Sequence, residues 1–149
     1  MIQGHGDDSY DYRDIRVNFS SNIYSHADLS ALKAFLSSRL SVIGSYPEPD
    51  ARSLAEEIAR KHAIPVECVL VTSGATDAIY LVAQAMAAEG FRHFSVAHPT
   101  FSEYADACRM FGMVEGAGGV QWLCNPNNPT GQVTTGRMQE TSAFTVLAQ

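Results

Sequence analysis

The sequence predicts an α/β fold, a mainly parallel sheet covered by helices. Two observations point there. Short apolar runs (ECVLV, FRHFSV and VQWLC) alternate with amphipathic helical stretches, as in sheets whose strands are buried on both faces. Each run also leads into a polar, turn-rich segment: TSGATD, HPTFSEY and NPNNPTG. Ligands of such sheets bind beyond the carboxyl ends of the strands.

The elements follow in order. The first stretch, to about residue 25, reads as irregular, with GHGDD a loop. DLSALKAFLSSRL places Leu29, Leu32, Phe35, Leu36 and Leu40 at helical spacing, with Gly44 as its stop. SYPEPD is a proline-stiffened link. ARSLAEEIARKHAI is a second helix, with Leu54 and Ile58 inward and Glu56, Glu57, Arg60 and Lys61 outward. After Pro65, ECVLVTSG reads as a short buried strand ending in a turn. ATDAIYLVAQAMAAEG is a long helix stopped by Gly90. FRHFSVAHP is a strand closed by Pro99, and SEYADACRMFG a helix followed by Gly112. MVEG reads as the remnant of a strand, VQWLC as a full one, and FTVLA as a candidate last one.

Composition removes several classes of function. The 149 residues suit one domain, and 46% hydrophobic with 17% charged residues reads as soluble and globular. A net charge of −6, with scattered basic residues, argues against nucleic acid or anionic membrane as partner. No apolar run of about 18 residues occurs, so no membrane span is expected. The polar, acidic N-terminus is wrong for a signal peptide. Cys68, Cys108 and Cys124 are odd in number and form no CxxC, which suggests reduced thiols in a cytoplasmic protein. The five histidines show no metal-ligand spacing, so no metal is expected. No GxGxxG or GxxxxGK[ST] follows a strand, which disfavours a nucleotide-binding domain.

The strand-end loops carry the chemistry. In TSGATD, Gly74 permits a tight turn, and the unpaired first-turn amides of Ala75 and Thr76 suit a phosphate. The alternative is that Ser73 or Thr76 only caps the helix. In HPTFSEY, Phe101 and Tyr104 lie three apart, where a ring can cover a flat ligand, or both can be ordinary core or rim aromatics. In NPNNPTG, two prolines and Gly131 restrain the backbone, so Asn128 can offer its amide to a ligand oxygen. A plain Pro-Asn turn would need fewer such residues.

SYPEPD, SGATDAI, PTFSEY and NPNNPTG, in this order, resemble the large domain of fold type I pyridoxal phosphate enzymes, the class I/II aminotransferases. Within these the chain is most similar to histidinol-phosphate aminotransferases of histidine biosynthesis and to L-threonine-O-3-phosphate decarboxylases of cobalamin synthesis. GHGDD and VNFSSNIY look more like the decarboxylase branch. The resemblance implies residues 1–45 as an N-terminal arm with the first helix, and 46–149 as an incomplete large domain of three-layer α/β/α type. It implies pyridoxal 5′-phosphate as cofactor, with its phosphate on the backbone of Gly74, Ala75 and Thr76. Tyr104 would stack on the pyridine ring, and Asn128 would bond the ring oxygen O3′. Tyr46 would reach the partner's cofactor in a homodimer. Asn22 and His5 would face a phosphorylated amino-acid substrate.

The chain also departs from the pattern. The family's Schiff-base lysine stands downstream of NPNNPTG in a Ser-x-x-Lys-like context, whereas the lysines here are Lys33 and Lys61, both upstream. The aspartate that faces the pyridinium nitrogen falls near Ala148, and the downstream carboxylate-binding arginine has no match. GMVEGAGG is short where the family has a further strand and helix. No catalytic residue is therefore assigned within the chain. The family activity is decarboxylation or amino transfer, and these residues alone are expected to be non-catalytic.

Overall fold

The computed structural model describes residues 12–18, 24 and 26–135, together with the backbone of 144–148. They fall into two compact units, Met1–Val71 and Thr72–Gln149.

The first unit is helical. Helix α1 spans Ser30–Ser38 and leads to a 3-10 turn at Leu40–Gly44, so the helix itself stops well before Gly44. Asp28 Oδ1 accepts the Ser30 N–H at 2.9 Å, and that bond holds the Asp28 carboxyl below its usual range. Leu32, Phe35 and Leu36 of the predicted stripe lie on α1, with Leu29 at its N-cap and Leu40 in the 3-10 turn. Leu29, Leu32, Phe35, Leu36 and Leu40 nevertheless stay 47–59% exposed.

Helix α2 spans Arg52–His62 and is flanked by Ala51 and Ala63 in left-handed conformation. SYPEPD turns out to be more than a link. Glu48 Oε2 accepts both the N–H (3.0 Å) and the hydroxyl (2.6 Å) of Ser53, in the first turn of α2. Such a carboxylate satisfies an orphan donor and complements the helix dipole. The buried face of α2 differs from expectation. Ala55 and Ala59, one turn apart, are buried, while Leu54 is half exposed and Ile58 only partly covered. Small side chains at that spacing let the helix sit close to the turn at Val66–Cys68, which rotates Leu54 outward. Glu56, Glu57, Arg60 and Lys61 face outward as predicted.

The expected strand at ECVLV does not form. Val66–Cys68 is a 3-10 turn, and Val69 has extended angles (φ −115°, ψ 122°). Val69 to Val71 have no ladder partner among the described residues, and Leu70 is 74% exposed. β-branched residues favour the extended conformation, but a strand also needs a neighbour to take its N–H and C=O groups.

The second unit holds the sheet. Helix α3 (Ala75–Ala88) is followed by β1 (His93–Val96), α4 (Glu103–Met110), β2 (Val114–Glu115), β3 (Val120–Cys124) and β4 (Phe144–Ala148). The strands run parallel in the order β2-β1-β3-β4. Phe94 pairs with Val120 and Val96 with Trp122. Gly90 (φ +95°) follows α3 and Gly112 (φ +78°) follows α4, where the sequence places the stops, and both are in the left-handed region. MVEG is the two-residue edge strand, and FTVLA is β4.

α3 and α4 pack against each other, and α4 against β1. Their core holds Ile79, Ala83, Phe94, Tyr104, Cys108, Val120 and Trp122. Burying a ring such as Phe94, which is fully covered, contributes about 1.5–3 kcal/mol. The Trp122 indole N–H donates to Cys108 Sγ at 3.1 Å, and burial pushes the Cys108 thiol up.

A clamp ties the edge strand to the rest. Glu115 on β2 bonds His98 Nε2 at 2.7 Å through Oε1, and accepts from Arg109 on α4 at 2.8 Å through Oε2. The His98 bond first, then the charge of Arg109, holds the Glu115 carboxyl below its usual range. A lowered folded value stabilises the fold fully above the ordinary carboxylate range, and the contribution is lost as pH falls through the lowered value. Melting temperatures of the natural protein and Glu115→Gln should therefore differ near pH 7 and converge as the pH falls through the lowered Glu115 value, below the ordinary carboxylate range. A gap that does not change with pH would show that the clamp adds nothing. Gly119 offers a second test. A Cβ there would lie 1.9 Å from the His93 carbonyl oxygen, which is backbone and cannot swing away. Gly119→Ala should destabilise the protein by about 1–3 kcal/mol or more, read by denaturant unfolding.

Candidate functional site

The second unit brings three loops to one end of its sheet. α4 leaves the carboxyl end of β1, so its N-terminus lies there. α3 enters β1 through the Gly90 turn, so it runs back along the sheet, and its N-terminus reaches the same end. HPTFSEY and NPNNPTG thus leave the carboxyl ends of β1 and β3, as the sequence suggested, whereas TSGATD follows a turn and an extended stretch and opens α3.

At the first loop Gly74 itself occupies the N-cap position of α3, with φ +91° and no side-chain cap. Neither Ser73 nor Thr76 caps the helix, which removes that alternative. Asp77 Oδ2 accepts the Ser73 N–H at 3.0 Å. The N–H groups of Ala75 and Thr76 have no hydrogen-bond partner among the described residues. They remain as donors at the positive end of the helix.

At the third loop the three asparagines divide their labour. Asn125 clips the far side of the corner: its Nδ2 donates to the Thr134 carbonyl (3.2 Å), and its Oδ1 accepts the Thr134 N–H (3.0 Å). Asn127 joins the corner to the second loop. Its Oδ1 accepts from the Thr100 hydroxyl (2.7 Å), and its Nδ2 donates to the Pro99 carbonyl (2.9 Å) and to Thr130 Oγ1 (2.8 Å). Asn128 is exposed, and its side-chain amide has no partner among the described residues. Its backbone N–H points to Cys124 Sγ at 3.4 Å, and that thiol donates to the Pro126 carbonyl at 3.4 Å. Asn128 is the only one of the three whose amide is left for a ligand. The His98–Pro99, Asn125–Pro126 and Asn128–Pro129 bonds are cis. A small pocket opens between the second and third loops, lined by residues that include His98, Thr100, Trp122, Cys124 and Gln132.

The two rings of the second loop sit differently from one another. Tyr104 is 4% exposed and stacks on Trp122 (centroids 5.2 Å apart, interplanar angle 26°). Burial first, then contact with Cys124, pushes its hydroxyl up. Phe101 meets Tyr104 edge-on at 5.9 Å and is only half-buried. The structure thus places Tyr104 within the core and keeps Phe101 at the loop. The physical reason is position: Tyr104 lies in the first turn of α4, with its ring over Trp122 of β3.

Glu103 is fully buried in the same turn. Tyr80 on α3 has its hydroxyl pushed up by burial and by the neighbouring Glu103 carboxylate. Tyr46, in the first unit, is fully exposed. His5 and Asn22 lie outside the described residues. β4 ends at Ala148, where the resemblance expects an aspartate. Among the described residues no group of His, Cys, Asp or Glu forms a metal cluster, and no helix is long and apolar enough to cross a membrane.

The sequence does not reveal the contacts that Thr100, Asn127 and Cys124 make in the corner. Asn127 stands inside the motif, but nothing in the string NPNNPTG tells a clip from a free amide. Thr100 could have been found from its place between Pro99 and Phe101.

Known proteins are similar to this chain. The profile of the family Aminotransferase class I and II matches residues 14–114, more than half of the chain. A histidinol-phosphate aminotransferase of Bacillus cereus is 30% identical over 116 residues, 64% of this chain and 31% of that protein. A threonine-phosphate decarboxylase of Salmonella typhimurium is 29% identical over 137 residues, 77% of this chain and 37% of that protein. The chain therefore spans about a third of the length of the curated relatives it matches. The crystal structure of L-threonine-O-3-phosphate decarboxylase from Porphyromonas gingivalis superposes with a TM-score of 0.68 at 36% identity, covering 79% of this chain and 40% of that one. On the extent of the profile match, together with the ordered strand-end loops, the chain belongs to the aminotransferase class I and II family.

Proposed function

We propose that the carboxyl end of this sheet is part of a pyridoxal phosphate site in an enzyme acting on a phosphorylated amino compound, of the L-threonine-O-3-phosphate decarboxylase type. One observation carries the cofactor: Asn125 and Asn127 are consumed by the backbone around them, and Asn128 keeps a free amide. The donors fit the group. The Ala75 and Thr76 amides can take its phosphate, and Asn128 Nδ2 can donate to O3′. Phe101 stands at the loop where a ring would cover the heterocycle, with Tyr104 packed behind it. Bound pyridoxal phosphate supplies an electron sink for the bond broken at the substrate's α-carbon.

The chain's own residues bind and orient. The Asn128 amide favours the ionised form of O3′, since a donor stabilises the charged acceptor. The α3 dipole and amides neutralise the phosphate. Lys33 lies on α1 and Lys61 on α2, both exposed in the first unit, and neither stands in the Ser-x-x-Lys-like context of the resemblance. These residues by themselves are accordingly a binding scaffold. Tyr46, fully exposed, is proposed to contact the partner's cofactor in a homodimer, and Asn22 and His5 to face the substrate.

The decarboxylase reading is supported by the 36% identity and wide coverage of the Porphyromonas structure. A histidinol-phosphate-type aminotransferase is the second reading, supported by relatives near 30% identity.

Pyridoxine 5′-phosphate lacks the aldehyde and cannot couple to lysine, so it probes the site alone. Fluorescence titration should show saturable binding that weakens about tenfold in Asn128→Ala, as for one hydrogen bond to a charged group. Equal affinity of the two proteins would remove Asn128 from the site. Pyridoxal phosphate with L-threonine phosphate should release no carbon dioxide above the cofactor-only rate. Release above that rate would overturn the scaffold reading.

A further inference from the structure

Asn127 makes more hydrogen bonds than any neighbour in the corner, and they run to both sides of it. Its backbone N–H donates to the Gln132 carbonyl (2.8 Å), and its carbonyl accepts the Gly131 N–H (2.6 Å), which closes the turn. Its side chain points the other way in function. Both Nδ2 protons and Oδ1 are used, on Pro99, Thr130 and Thr100. Pro99 and Thr100 directly precede Phe101. One amide group therefore joins the loop after β1 to the loop after β3, and the next residue along is Asn128.

We infer that Asn127 is a positioning residue: through Pro99 and Thr100 it holds the Asn128 amide in register with the loop that carries Phe101. Asn127 touches no ligand itself. Its effect reaches the site through the backbone of Asn128, whose other restraint is the weaker contact to Cys124 Sγ at 3.4 Å. Loss of the Asn127 side chain frees the corner from the second loop and leaves the α3 amides unchanged. The consequence is selective. Phosphate anchoring survives, and the contact to O3′ is lost. Asn127 acts in this way only if the corner receives pyridoxal phosphate as proposed above.

The test reads the ligand's own 3-hydroxyl. In pyridoxine 5′-phosphate this group changes its ultraviolet absorption on ionising, so its titration can be followed in the bound state. In the natural protein it should ionise at lower pH than in the free ligand, because Asn128 donates to the oxyanion. Asn127→Ala should return the ionisation most of the way to the free value and weaken binding about tenfold. Its affinity for inorganic phosphate, measured by competition, should stay unchanged. Thr100→Val should act in the same direction, and Thr100→Ser, which keeps the hydroxyl, should restore the natural behaviour. If Asn127→Ala does not fold, the Thr100→Val and Thr100→Ser pair decides by the same criterion. A variant that melts lower but binds with the natural ionisation shift would overturn the positioning role and leave the cofactor reading standing. A natural protein with no binding or no shift would overturn both.

Discussion

The parallel pairing of β1 with β3 is the constraint on which the site depends. Its register sets Phe94 beside Val120 and Val96 beside Trp122, and so brings the ends of the two strands level. Only then can Asn127 on one loop meet Pro99 and Thr100 on the other. A slip of one residue would turn every side chain of one strand to the opposite face. The pairing is specified by the core beneath it, where Phe94 and Val120 are fully covered and Trp122 bonds Cys108. Gly119 admits the close approach of the two backbones at the amino end of β3. The polar corner is thus the outer end of an apolar arrangement.

Much of this was legible in the sequence. α3, α4, β1 and β3 stand where the periodicity and the glycine stops place them, because their signals are local. The apolar faces there are matched by partners within the same unit. The loops after β1 and β3 and the Gly74 turn before α3 were legible for the same reason, since Gly, Pro and Asn act on the backbone in which they sit.

Other features depend on partners that a string does not display. Val69 to Val71 have strand-like composition and no ladder partner among the described residues. Leu54 was assigned inward by hydropathy, but the alanine face of α2 takes the close contact. Tyr104 and Phe101 are equivalent by spacing, and only the position of Trp122 separates the covered ring from the one at the loop. Within NPNNPTG the residue type is the same three times, and the distinction among Asn125, Asn127 and Asn128 lies wholly in what each one faces. Glu115 gave no signal because its partners, His98 and Arg109, come from other elements.

The exposed leucine stripe of α1 has a consequence for any thermodynamic work on this chain. Apolar surface of that kind, with Ile43 and Leu70 also bare in the same unit, gives identical molecules something to bury against one another. Mass action then enters the folding equilibrium, because association favours whichever state associates. A melting temperature taken at one protein concentration would not transfer to another. Dilution series belong in every comparison of variants, or differences in self-association will be mistaken for differences in folding.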